Sequence, residues 1–352
     1  MKINHAVLHV LDFVSCVNVM SHEEIDLASK NAKRYVTGHA KRALSNLDNK
    51  RGEFAGDSMF AEEIRSYFRG QRDFVDLSIQ VAEFIAGELG RMEKTPSTDV
   101  LVIDFEDETK AAVGDMTDEE IDAAFEGHGK RYFALFLLEA RQAFMHEVGR
   151  GESGEVLVDI ERHHAILPNP SQKVQSFALV EKGTMNVLFC DKAREIAGEE
   201  RWLIPDGLLQ CSMKPSGKEM FDTVARIVEE VAEEYGANPA VAVSKAKAYV
   251  AESSQESEEV YPEELGREVF EDDALQKRFE EAVAEEALPE RVVVGKAVAE
   301  RVAKNHKIRT DTGIEITFPA EYSQSPEFIE FVSEPNGLIS IELKNIGRIE
   351  NR

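Results

Sequence analysis

Apolar residues recur at helical spacing between Ser21 and Arg51. Ile25, Ala28, Ala32, Val36, Ala43 and Leu47 there predict one buried face of a long helix. Ser21 followed by Glu24 has the form of a capping box, and Met20 with Ile25 is placed as a hydrophobic staple. Upstream, residues 2–11 and Phe13–Val19 read as strands, and downstream Asn49–Asp57 reads as a polar turn. Phe60–Arg69 and Phe74–Met92 are amphipathic helices, with Ile79, Ala82, Phe84, Ile85 and Leu89 as core positions. Continuous apolar runs at Val100–Phe105 and Tyr132–Leu138 predict buried strands; the second is short and aromatic-rich, which favours a central strand. Thr117–Glu126 reads as an acidic helix or loop insertion. Val156–Ile160 and Gln175–Val180 are further strands, and Thr184–Phe189 closes a hairpin across Lys182 and Gly183.

Pro205, Gly207, Pro215 and Gly217 mark a domain boundary. The expected division is an N-terminal α+β domain at 1–204, carrying the basic helix, and a helix-rich domain at 218–352 with a terminal β-hairpin. Helical spacing runs through Lys218–Tyr235, Pro239–Glu252, Pro262–Phe270 and Asp272–Ala287. Strands follow at Lys307–Arg309, Gly313–Phe318, Phe328–Val332 and Leu338–Leu343, with Pro335-Asn336-Gly337 as a hairpin turn. The predicted class is α+β: an N-terminal mixed sheet with helices, then a helical domain ending in a small antiparallel sheet.

Charge changes the picture. The 352 residues hold 67 acids and 41 bases, a net charge of -26, which disfavours non-specific attraction to polyanions or membranes. A nucleic-acid reading therefore rests on local charge. On the first long helix, Lys30, Arg34 and Lys41 fall within about 40° of one another at about 100° per residue. Lys33 and Arg42 flank them, Lys50 and Arg51 follow, and Asp48 is the only acid from Lys30 to Arg51. These side chains could follow a phosphate backbone without reading bases, with Thr37 and His39 adding neutral hydrogen bonds. Equally, they could form a solvated face whose cations pair with acids elsewhere in the fold. Lys304, His306, Lys307 and Arg309 form a second basic group with the same two readings. Arg65, Arg69 and Arg72 form a third, equally suited to intramolecular salt bridges. Glu252–Glu290 holds fifteen acids against Arg267, Lys277 and Arg278. It reads as a solvated helix pair, or as a surface for a basic partner or a mimic of DNA charge.

Catalytic signals are absent. There is no P-loop, G-x-G-x-x-G, G-x-S-x-G or H-E-x-x-H. The His163-His164 doublet would point to opposite faces of a strand and makes a poor metal site. Asp99, Asp104 and Glu106 could form a nuclease-like carboxylate cluster, but no accompanying lysine is evident. Cys16, Cys190 and Cys211 are too far apart for a CxxC motif and suit reduced, buried thiols. The opening residues read as a strand, and no run of about 18 apolar residues occurs. No enzyme activity, cofactor or membrane partner is expected, and the expected location is cytoplasmic.

Several segments carry a family likeness. Leu167–Lys173 (Leu-Pro-Asn-Pro-Ser-Gln-Lys) followed by Phe177-Ala-Leu-Val resembles the central signature of the bacterial nucleoid-associated protein family (NdpA/YejK-like). The segment from Ile308 to Pro319, the closing Asn336-Gly-Leu-Ile-Ser-Ile, the opening Ile3–Val10 strand and Tyr132–Glu139 are similar to that family in the same order. The resemblance implies a nucleoid protein that binds double-stranded DNA with little sequence preference, a homodimer, and a type II topoisomerase as a partner. It brings no catalytic residues. The stretch Asp115–Glu126 and the acidic C-terminal helices would be local elaborations. On the charge pattern, the expected DNA-binding residues are Lys30, Lys33, Arg34, Lys41, Arg42, Lys50, Arg51, Lys304, Lys307 and Arg309. Within Leu167–Lys173, two prolines fix the backbone. Gln172 and Lys173 could reach phosphate, or the segment could be a rigid crossover that places the Phe177 strand.

Overall fold

The computed structural model describes residues 1–107, 129–150, 154–256, 259–294, 296–304, 306–319, 322, 325, 327–333 and 339–348. They fall into two compact units, Met1–Lys214 and Pro215–Arg352. Thr117–Glu126 and the Pro335–Gly337 turn lie outside the described residues.

The strands of the first unit are β1 (Lys2–Asp12), β2 (Val17–Val19), β3 (Lys50–Gly52), β4 (Thr98–Asp107), β5 (Lys130–Glu139), β6 (Arg141–Arg150), β7 (Val156–Ile166), β8 (Ser176–Glu181), β9 (Val187–Cys190), β10 (Ala193–Ile196) and β11 (Glu199–Trp202). Seven of them form one sheet in the order β2-β1-β4-β5-β8-β9-β3, so β5 is central as its composition predicts. The sheet is not mixed in direction: every pairing along it is antiparallel. Among the described residues, no parallel pairing occurs in it.

Its helices are α1 (Lys30–Leu44), α2 (Met59–Phe68) and α3 (Phe74–Leu89). One face of the sheet buries Val100, Val102, Phe133, Leu135 and Leu137 against α2, α3 and a π-helical turn at Leu203–Leu209. The other buries Leu101, Ile103, Phe105, Ala134, Phe136 and Leu138 against Val36, Ala40 and Ala43 of α1. Covering both faces explains the continuous apolar runs of β4 and β5, where a half-exposed antiparallel sheet would alternate. Asp104 is buried between Tyr67 Oη (2.5 Å), Arg131 Nη2 (2.8 Å) and Asn4 Nδ2 (2.8 Å). That pairing holds the Arg131 guanidinium above its usual range, chiefly through the hydrogen bond to Asp104.

Four expectations need correction here. Helix α1 begins at Lys30, not near Ser21, and Ser29 caps it by accepting from Ala32 N–H. Ser21 instead donates its N–H to His9 Nδ1 (3.1 Å), and Ile25 N–H reaches Ala6 O (2.8 Å). No staple forms, because Met20 packs against the α2/α3 face of the sheet and Ile25 against the α1 face. Asp99 and Asp104 do not cluster: five residues apart on β4, they point to opposite faces. Among the three cysteines Cys190 is buried, Cys211 is half-buried and Cys16 is exposed.

The second unit contains α4 (Gly217–Glu234), α5 (Pro239–Glu256), α6 (Pro262–Val269), α7 (Asp273–Glu285) and α8 (Lys296–Lys304). A capping box between Ser216 and Glu219 starts α4. Phe221, Val224, Ile227, Val231, Leu265 and Phe279 are buried in this unit. Small antiparallel pairs complete it: β12 (Glu259–Val260) with β13 (Val292–Val293), β14 (His306–Arg309) with β15 (Glu315–Phe318), and β16 (Ile329–Ser333) with β17 (Ile339–Leu343). The class is α+β, with a large N-terminal sheet and small antiparallel sheets near the C-terminus.

Candidate nucleic-acid interface

Helix α1 has one buried side and one cationic side. Val36, His39, Ala40 and Ala43 face the sheet. Lys30, Lys33, Arg34, Lys41 and Arg42 are all exposed. None of these five forms an ion pair among the described residues. Lys30, Lys33, Arg34, Thr37, Gly38 and Lys41 line a shallow groove of about 420 Å³ along the helix. Lys30 and Lys41 are eleven residues apart, or about 16 Å of helix axis. Asn31 is the only amide side chain on the helix, so the face offers cations and a hydroxyl but little that reads base edges.

The helix is held from both ends and from one flank. No acid occupies its first turn, so Lys30 and Lys33 add to the positive end of the helix dipole where acids are usually found. At the far end, Ser45 Oγ donates to Lys41 O (3.0 Å) and Asn49 Nδ2 to Ala43 O (2.8 Å), which ends the helix well before Arg51. The flank is the proline segment Leu167–Lys173. Tyr35 Oη donates to Pro168 O (3.0 Å), and a Cβ on Gly38 would lie 2.7 Å from Pro170 Cβ. The segment is closed on itself: Ser171 N–H donates to Asn169 Oδ1 (2.9 Å) and Gln172 N–H to Asn169 O (2.8 Å). Lys173 does not project from it as a free cation; its ammonium pairs with Asp48 Oδ2 at 2.7 Å. That contact occupies the one acid in the basic run. Sequence reasoning missed this buttress, although a lone glycine inside a helical pattern was its visible trace.

His39 lies beneath the cations, and burial pushes its pKa down to about 4. It is therefore neutral at physiological pH and does not extend the cationic face.

The other expected contacts are placed elsewhere. Lys50 and Arg51 sit on β3, the edge strand of the sheet. The Lys50 ammonium lies 5.2 Å from the centre of the Trp202 ring, while the Arg51 side chain is exposed. Lys304 is exposed in the last turn of α8, where a cation complements the helix dipole. Lys307 pairs with Glu315 across β14 and β15 at 2.7 Å, and Arg309 lies directly opposite Glu315. His306 is buried, and burial pushes its pKa down to about 4. Arg65 and Arg69 both pair with Glu62, and Arg72 pairs with Glu63, so that trio forms intramolecular salt bridges. Helix α1 brings five of the expected cations together.

Among the described residues, no three His, Cys, Asp or Glu side chains are grouped to hold a metal ion. No described helix is long and apolar enough to cross a membrane. The family described as nucleoid-associated protein YejK matches residues 7–350. No curated protein matches the chain.

Proposed function

Because the chain belongs to the nucleoid-associated protein YejK family, we propose that it binds double-stranded DNA through the solvent face of α1. Lys30, Lys33, Arg34, Lys41 and Arg42 meet phosphates there, and no base sequence is selected. One observation carries this reading: in a chain of net charge -26, five cations share one helix without a carboxylate partner among the described residues. Isolated lysines at a surface usually cost nothing to neutralise, and this chain holds ample acid to do so. Keeping them unpaired, and fixing their helix with a proline buttress, is what a phosphate-binding surface requires. Two copies acting together would bring ten such cations to one duplex. The test is fluorescence anisotropy with two duplexes of unrelated sequence at 50 and 200 mM salt. Equal affinity for both, falling steeply with salt, supports the reading; salt-independent binding, or binding to only one duplex, contradicts it.

A second reading rests on the acidic helices. In Glu252–Glu290 all three bases are paired with acids: Arg267 with Glu263, Lys277 with Glu281, and Arg278 with Glu234 and Glu285. The remaining carboxylates of α6 and α7 face solvent as a net anionic surface suited to a basic protein partner, such as a type II topoisomerase subunit. A low-salt pull-down with the purified partner tests it, and no retention would remove it.

A further inference from the structure

Several lysines of the second unit end beside a carboxylate. Lys245 pairs with Glu271 at 3.4 Å, Lys277 with Glu281 at 4.0 Å and Lys307 with Glu315 at 2.7 Å. Lys247, on α5, ends beside a ring instead. Its side chain is half-buried, and Nζ lies 3.2 Å from His306 Nδ1. Lysine forms no ion pair there among the described residues. An ammonium only donates, so Nδ1 accepts and the ring proton sits on Nε2.

The pair is built into the core of the unit. His306 is 4% exposed. Strand register fixes it: it opens β14 opposite Phe318 of β15, and the two rings lie edge to face with centroids 5.3 Å apart. Ala246 and Val250, on the same helix as Lys247, are fully buried. Burial pulls the Lys247 ammonium below its usual range, against the opposing pull of Asp222 on α4. Asp222 is itself engaged by Lys218 at 3.6 Å. Loss of a proton does not break the contact. A neutral amine still donates to Nδ1, and its lone pair then points away from the ring.

We propose that Lys247 is an acylation site: a nucleophilic amine, held on His306, that takes the acyl group of a small acyl phosphate. This stands independently of DNA binding by α1. Desolvation of a lysine is a general way to free its lone pair for attack. The amine attacks the carbonyl carbon of the donor. A nitrogen–carbon bond forms, the bond from that carbon to the phosphate oxygen breaks, and inorganic phosphate leaves with the electron pair. The proton displaced from nitrogen goes to solvent. The product amide keeps one N–H, enough to donate to His306 Nδ1, and no charge has to be held in the half-buried site. His306 is a positioning residue in this step. A half-buried amine also favours a compact donor over a bulky thioester.

Peptide-resolved mass spectrometry of the full chain incubated with acetyl phosphate tests this. Lys247 should acetylate at least about tenfold faster than exposed Lys277 near about pH 7.5, and its rate should level off at a lower pH. His306→Leu removes the acceptor and frees the amine to swing into solvent. Labelling of Lys247 should then fall to the rate and pH profile of Lys277, and His306→Gln, which keeps an acceptor, should rescue it. Far-UV circular dichroism confirms the fold of both variants. A parent chain in which Lys247 reacts no faster than Lys277 would overturn the proposal. So would a folded His306→Leu chain that labels Lys247 at the parent rate. Acetyl coenzyme A at the same concentration should label Lys247 more slowly than acetyl phosphate; equal or faster labelling would overturn the choice of a small acyl phosphate.

Discussion

Replacing Lys30, Arg34 and Lys41 together removes three of the five unpaired cations on α1. Five phosphate contacts per chain give a slope of log affinity against log salt of about -4.5, or about a 500-fold loss between 50 and 200 mM. With the three residues changed to alanine, two contacts remain; the slope falls to about -1.8 and the loss to about twelvefold. Changed to glutamate, the same positions repel phosphate, and binding should vanish at 100 mM salt. The fold should not suffer. Glutamate at Lys30 improves the N-terminal dipole interaction by about 0.3–1 kcal/mol, and glutamate at Lys41, in the last turn, costs about as much. None of the three side chains loses an ion pair. Anisotropy titrations of a 30-base-pair duplex at three salt concentrations give the slopes, and thermal melts monitor the fold. A triple-alanine variant that keeps the parent's slope would show that these contacts are not made.

Two further outcomes test how the site is held. Gly38→Val drives a branched side chain into Pro170, whose Cβ is already 2.7 Å from an added Cβ. Overpacking of this kind costs about 1–3 kcal/mol, so the melting temperature should fall by several degrees and DNA affinity with it; an unchanged melt would mean that the proline segment yields freely. The pH profile follows from His9 and His39 in the first unit, both held near 4 by burial, and from Asp99, raised to about 6 by burial. Each histidine is lower in the folded chain than in the unfolded one. Its stabilisation is complete above about pH 6.5 and is lost as pH falls towards 4, by about 2 kcal/mol each at pH 5. Asp99, shifted the other way, returns about 1 kcal/mol over that range. The first unit should lose a net 2–3 kcal/mol, on the order of one urea-midpoint unit, between pH 7.5 and 5; a midpoint that holds or rises would refute this.

The parts legible in the sequence are those where local pattern and tertiary environment agree. β4 and β5 are apolar on both faces because helices cover both, and their runs of Val, Leu, Ile and Phe say so directly. The clustering of cations on α1 was legible because Asp48 is the only acid from Lys30 to Arg51. The start of α1 was not legible: Ile25 and Ala28 fall on the helical period by coincidence, while the backbone there is taken up by contacts with β1. Lys50 and Arg51 were read as the tail of the basic run, and only the long-range pairing of β3 with β9 puts them on the sheet edge. The partner of Lys307 is set by strand register, eight residues away, and Lys173 meets Asp48 across 125 residues. β6 escaped notice because Arg-Gln-Ala-Phe-Met-His-Glu-Val-Gly-Arg does not alternate; its apolar side chains form a stripe only with those of β7.

Lysine acetylation read by mass spectrometry, with and without a duplex, addresses the α1 surface most directly. Lys30, Lys33 and Lys41 should each react freely in the unbound chain and become protected by DNA, while Lys277 and Lys307 keep their reactivity. Equal labelling of the three α1 lysines in both states, with protection falling on another part of the chain, would contradict it.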